Sequence, residues 1–270
     1  MLGPMKRFLA TLVATSLLTT AALPGPAAAQ DETAQRQQAE VQIGQQFYQQ
    51  LQQKGEIIQA SPDYAVLNPI AQRIKRVADP QYFRPFTFIL VHESQPNAFA
   101  VPGGNVYVTD SLMKFVENKE ELAGVLCHET SHDINHDVVN NMIKDQRAQQ
   151  NTTIVASIAN LLTGGRIANL ITTGANLEVG LRVQHYSRDV ETAADLKGAD
   201  TCARAGSNPW GMIWLFERYE TASSGGQLEV LSDHPTDEKR IVALRDHFGS
   251  NPSLFGRYPS TITDATPLRR

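Results

Sequence analysis

Cys127-His-Glu-Thr-Ser-His-Asp-Ile-Asn-His136 is the stretch on which the reading of this 270-residue chain turns. It concentrates three of the chain's seven histidines beside one of its two cysteines. On a helix, His128 and His132 lie four residues apart, so both rings leave the same face and can grip one divalent ion. Glu129, one position along, points to the side where a water on that ion would sit. Zinc lowers the pKa of such a water towards about 7, and a carboxylate there can take its proton. The spacing is that of the H-E-x-x-H zinc pattern.

Two imidazoles leave a third ligand to be found. A site with a third histidine six residues after the second, preceded by glycine, is excluded, because position 138 is Val138. His136 is four residues beyond His132. A rise of about 6 Å per four residues keeps three successive turns of a straight helix from reaching one ion, so His136 is expected beside the site rather than in it. Glu191, in Tyr186-Ser-Arg-Asp-Val-Glu-Thr-Ala-Ala-Asp195, is the better candidate, since a catalytic zinc often takes two His and one Glu with a position left for water. Asp195 follows one turn later. There it can accept a hydrogen bond from the free ring nitrogen of a metal-bound histidine.

Working outward, Met5-Lys-Arg7, an apolar run from Phe8 to Leu23, and Ala27-Ala-Ala29 read as a signal peptide over residues 1–29. A periplasmic location follows as an expectation. Residues 30–37 are expected to be disordered, and the glutamine-rich stretch to Gln53 to be a weakly amphipathic helix. Ser61-Pro-Asp63 opens a second helix. Phe86–Val91 reads as a strand. Two apolar pieces, the second being Val106–Thr109, flank the turn Pro102-Gly-Gly104 in a hairpin-like connection. Asn118 caps the zinc helix, with Glu121 three residues on. A further helix over Ser187–Arg204 closes at Gly206, and Pro235–Asp246 is the last. Residues 251–270 are read as a loosely held tail. With 24 basic and 28 acidic residues the chain is close to balanced, which gives no footprint for nucleic acid. Cys127 and Cys202 are expected as two buried, unpaired thiols, although an exported protein permits a disulfide.

Four pieces, in this order, resemble the gluzincin metallopeptidase family that includes the HtpX-like heat-shock protease and the CAAX prenyl protease. They are Asn97-Ala-Phe-Ala100 with Pro102-Gly-Gly104 and Val106-Tyr-Val108; Glu121-Leu-Ala123 leading into His128-Glu129-x-x-His132; Ser187-Arg188 with Glu191 and Ala194-Asp195; and His234-Pro235 with Arg240. The resemblance implies an α+β, mainly helical, zincin-like domain over residues 38–250, with a small sheet beside the zinc-binding helix. It implies one zinc per chain on His128, His132 and Glu191, with Glu129 as general base. It also brings His234 near the site, as an oxyanion donor or as an occupant of the open metal position. Arg240 would then orient His234 or a substrate carbonyl. The family's membrane-spanning segments and tetratricopeptide repeats have no counterpart in this sequence, which looks like the soluble, exported branch.

Substrate is expected along Val106, Tyr107 and Val108 if these form an exposed edge strand, since pairing by main chain suits unfolded chains of any sequence. An internal strand is the alternative. The glycine-punctuated segment 144–183 is read as a lid or as an interaction surface for membrane or a partner. The expected activity is endoproteolysis of misfolded or unassembled envelope proteins. The rival readings are a zinc amidase acting on cell-wall peptides and a chaperone-like binding protein with a self-inhibited zinc site.

Overall fold

A computed structural model describes residues 26–148, 186–224, 234 and 238–268. In chain order the described elements are α1 (Pro26–Lys54), α2 (Tyr64–Ala78), β1 (Thr87–Val91), β2 (Ala98–Val101), β3 (Asn105–Thr109), α3 (Asp110–Phe115), α4 (Lys119–Ile134), α5 (Asp137–Ala148), α6 (Arg188–Arg204), α7 (Trp210–Ser224), α8 (Glu238–Ser250) and α9 (Pro252–Phe255). The domain is mainly helical with one small sheet, as expected. The segment expected as a signal peptide falls almost entirely outside the described residues, and so does most of the 144–183 insert, from residue 149 on. None of the described helices is long and apolar enough to cross a membrane.

Helix α4 organises the fold. Every residue from Glu121 to Asp133 on it is buried. A helix wrapped on all sides needs no apolar stripe, but each polar group it carries must find a partner. Asn118 caps it by accepting from the Glu121 N–H at 2.7 Å. Glu121 reaches back to the Glu117 N–H at 2.8 Å and pairs with Arg218 at 2.7 Å. Thr130 and Ser131 donate to the carbonyls one turn earlier.

The sheet has the order β1-β3-β2, with β1 parallel and β2 antiparallel to β3. The turn between β2 and β3 needs its two glycines. Gly103 and Gly104 have φ of 98° and 87°, and a Cβ on Gly103 would lie 3.0 Å from the Glu40 carbonyl oxygen. One side of the sheet packs with the helical core of α2, α4, α6 and α7. The other, with Ile89, Phe99, Val101 and Tyr107, packs on Ile43, Phe47 and Leu51 of α1 and on Val138 and Met142 of α5.

This topology overturns the edge-strand reading. Val106, Tyr107 and Val108 lie on β3, the central strand, and are fully buried. Both edges of β3 are already paired, so no peptide can add beside it; among the described residues, β1 and β2 are the outer strands of the sheet.

Three other expectations are corrected. Residues 30–37 belong to α1, which is helical from Pro26. Residues 251–268 are anchored at several points rather than loose. Phe255 and Leu268 are buried, and the Lys119 N–H donates to the Thr266 carbonyl at 2.9 Å while the Leu268 N–H donates to Glu117. Cys127 and Cys202 are joined in a disulfide with Cα atoms 5.9 Å apart. What brings them together is Gly198, whose missing side chain lets α6 lie against the α4 backbone. A Cβ there would meet the His128 nitrogen at 3.0 Å.

Candidate active site

Two helices supply most of the site, and the disulfide ties them together. Helix α4 carries His128, Glu129 and His132, and α6 carries Glu191 and Asp195 on consecutive turns of its inner face. His128, His132, Glu191 and His234 are all buried, and each offers a ligand atom within 4.8 Å of the others. The Nε2 atoms of His128 and His132 are 3.1 Å apart. Glu191 Oε2 is 3.4 Å from His128 Nε2, and its Oε1 is 3.8 Å from His132 Nε2. His234 Nδ1 is 2.7 Å from Glu191 Oε1 and 3.4 Å from His128 Nε2.

The outer nitrogen of each imidazole on α4 meets a carboxylate. His128 Nδ1 is 2.9 Å from Asp195 Oδ1, and His132 Nδ1 is 2.8 Å from Asp137 Oδ2. With protons at Nδ1, the two Nε2 atoms, 3.1 Å apart, would each offer a lone pair to a cation. The separation is also close to the about 3.3 Å edge of a tetrahedron whose bonds are ~2.0–2.1 Å long. Electrostatics agree. Burial opposes charge on His128, yet Asp195 and Glu191 outweigh it and raise that imidazole to about 10. A pocket that draws a proton so strongly suits a divalent metal, and the two-imidazole, one-carboxylate donor set fits one.

Glu129 lies beside this group, 1% exposed. Its Oε2 accepts from the Ala100 N–H at 3.0 Å, and its Oε1 is 3.7 Å from His234 Nε2. Burial raises its carboxyl above the usual range, with the histidines His234 and His128 opposing. That shift favours a group that must accept a proton. Ala100 is on β2, so an outer strand of the sheet lies directly beside Glu129.

Arg240 is buried and saturated. It grips Asp195 with two bonds of 2.7 Å, lies 2.9 Å from Glu191 Oε2 and donates to the His234 carbonyl at 3.3 Å. It therefore orients the groups behind the site, including His234, and does not reach out to a substrate carbonyl. His136 is outside the convergent set, as expected, but for a different reason. Helix α4 has ended before it, and His136 stands at φ 57° with Nδ1 2.7 Å from Glu40 Oε1.

Two groups at the site escaped the sequence reading. Asp137 follows the end of α4, and Tyr186 precedes Ser187, the N-cap of α6. Tyr186 stacks on His132 with ring centroids 4.5 Å apart and planes 13° apart. Neither carries a pattern; an aromatic next to an N-cap was the only available hint. A small cleft lies beside the cluster, walled by Val125, Met212, Leu215 and Phe216 as well as by His128, Glu129, His234 and Arg240.

The model of peptidase family M48 matches residues 65–247, more than half of the chain and every residue of the site described above. The chain is 27% identical over 214 residues to the beta-barrel assembly-enhancing protease of Escherichia coli K12, an alignment covering 77% of this chain and 43% of that protein. It is 31% identical over 159 residues to the mitochondrial metalloendopeptidase OMA1 of Schizosaccharomyces pombe, covering 58% of this chain and 45% of the relative. It thus spans less than half the length of these curated relatives. The resemblance drawn from the residues holds: the chain belongs to peptidase family M48.

Proposed function

We propose that this protein is a zinc-dependent metalloendopeptidase, with one zinc per chain held by His128, His132 and Glu191. The observation that carries the reading is the buried convergence of these side chains, with the Nε2 atoms of His128 and His132 3.1 Å apart. Bound zinc would supply Lewis acidity, polarising the scissile carbonyl and acidifying the attacking water. Glu129 takes the proton from that water and delivers it to the leaving amine. Asp195 and Asp137 hold the two imidazoles in one tautomer, and Arg240 holds Asp195 and Glu191 in place.

An extended substrate would pair with the outer edge of β2, displacing the hydrogen bond between Ala100 and Glu129. Main-chain pairing favours unfolded chains over folded ones. Misfolded or unassembled envelope proteins are therefore the proposed substrates. The leader-like start supports a periplasmic setting, the Escherichia coli relative's role as a beta-barrel assembly-enhancing protease supports envelope proteins as substrates, and contact at the membrane surface is proposed for the 144–183 insert.

His234 favours a second element of the reading. Bonded to Glu191 at 2.7 Å, it stands as a fourth member of the metal set, a resting arrangement in which the site is shut until substrate moves it. Once moved, it is placed to donate to the oxyanion of the tetrahedral intermediate. A protein permanently shut in this way would be a chaperone-like binder instead.

Profiling separates these readings. The zinc-loaded protein is expected to cleave a permanently unfolded protein and to leave the folded form of the same protein and peptidoglycan peptides intact. Cleavage of the cell-wall peptides alone would establish the amidase, and binding of the unfolded chain without cleavage would establish the chaperone-like protein.

A further inference from the structure

The two imidazoles of α4 are supported in different ways. His128 is held from inside the core, by Asp195, which Arg240 in turn grips with two bonds of 2.7 Å. His132 is held by groups from outside its helix. Asp137, the first residue of α5, fixes Nδ1 from a distance of 2.8 Å, and the Tyr186 ring lies parallel to the imidazole on its face.

The two supports act on different freedoms. A hydrogen bond at Nδ1 selects the tautomer that leaves Nε2 with its lone pair, and it limits rotation about the bond to the ring. A flat ring stacked at 13° fixes the plane of the imidazole, which a hydrogen bond alone leaves soft. Together they aim Nε2 at His128 Nε2 and Glu191 Oε1, 3.1 and 3.8 Å away. Tyr186 is also 5.5 Å from the His234 ring, so the same side chain closes one wall around both histidines. Asp137 side-chain exposure is 11%, whereas Asp195 is fully buried. His132 is thus the member of the set whose support lies nearest the rim.

We infer that Asp137 and Tyr186 are positioning residues that set the affinity for the metal through His132, acting as a clamp of one carboxylate and one stacked ring. The inference rests on the reading of His132 as a metal ligand. It also makes His132 the place where the chain leaving α4 and the chain entering α6 both bear on the metal centre.

The test is zinc affinity of the full chain, measured by competition with a chromophoric chelator. Asp137→Ala and Tyr186→Leu are expected to weaken zinc binding on the order of 10–100-fold, the usual cost of removing such a partner. Tyr186→Phe, which keeps the ring, is expected to bind as the parent does. Unfolding midpoints of the zinc-free Phe and Leu proteins should agree, which separates the clamp from a structural role. His132→Ala serves as reference. If His132→Ala loses zinc while Asp137→Ala and Tyr186→Leu bind like the parent, the clamp is wrong and the metal site stands. If Tyr186→Leu and Tyr186→Phe bind equally tightly, stacking has no part in it. If His132→Ala keeps the parent affinity, the metal site itself is wrong.

Discussion

Glu129→Gln is expected to bind zinc as the parent does and to lose cleavage of an unfolded substrate by about 10²–10⁴-fold. The substitution keeps the shape of the side chain and an oxygen to accept from the Ala100 N–H, 3.0 Å away in the parent. What it removes is the ability to take a proton. Because Glu129 is buried and stands beside the metal set without belonging to it, metal content should not fall. Paired measurement of bound metal and turnover checks both halves. Cleavage at the parent rate would remove Glu129 from the role of general base.

The second large effect concerns the disulfide. Cys127 is next to His128 in sequence, and Cys202 sits on the helix that carries Glu191 and Asp195, so the bond closes a loop across the metal site with a sequence separation of 75. By chain entropy, a loop of that size stabilises the folded state by about 4 kcal/mol. The Cys127→Ala/Cys202→Ala double variant is therefore expected to be less stable by about that amount in equilibrium urea unfolding. The variant retains small apolar side chains in a fully buried position, so little of the loss should come from packing. A change below roughly 1 kcal/mol would show that the close approach of α4 and α6 at Gly198 suffices without the covalent bond.

Much of the site was legible because it obeys helical spacing. His128 and His132, and then Glu191 and Asp195, repeat at four residues, so chemistry and geometry could be read together. His234 has no such partner, and only the family resemblance drew attention to it. Asp137 and Tyr186 were invisible for the same reason, since each meets His132 through tertiary approach.

The fold shows a similar division. Caps and turns were read well, as at Asn118, Gly206 and Gly103-Gly104, because those residues respond to local backbone demands. Helix α7 was missed. Its Met212, Ile213, Trp214, Leu215 and Phe216 are all buried, and a run of consecutive apolar residues has no stripe to betray its period. Whether Val106–Val108 lies at an edge or inside the sheet stays open in the sequence, because apolar residues there suit either place, and only the parallel pairing of β1 with β3 makes β3 central. The pairing of the cysteines depended on a close approach at Gly198 that no spacing rule contains. The final residues carry no periodic signal, yet backbone bonds to the start of α4 hold them.

The central claim is that Glu191 completes a metal site with His128 and His132. It is tested most directly by metal stoichiometry of the purified full chain by mass spectrometry, parent against Glu191→Ala. The account predicts about one zinc per chain in the parent and almost none in Glu191→Ala, as expected for loss of one of three protein ligands. A Glu191→Ala protein that retains one zinc per chain, at the parent affinity, would contradict it.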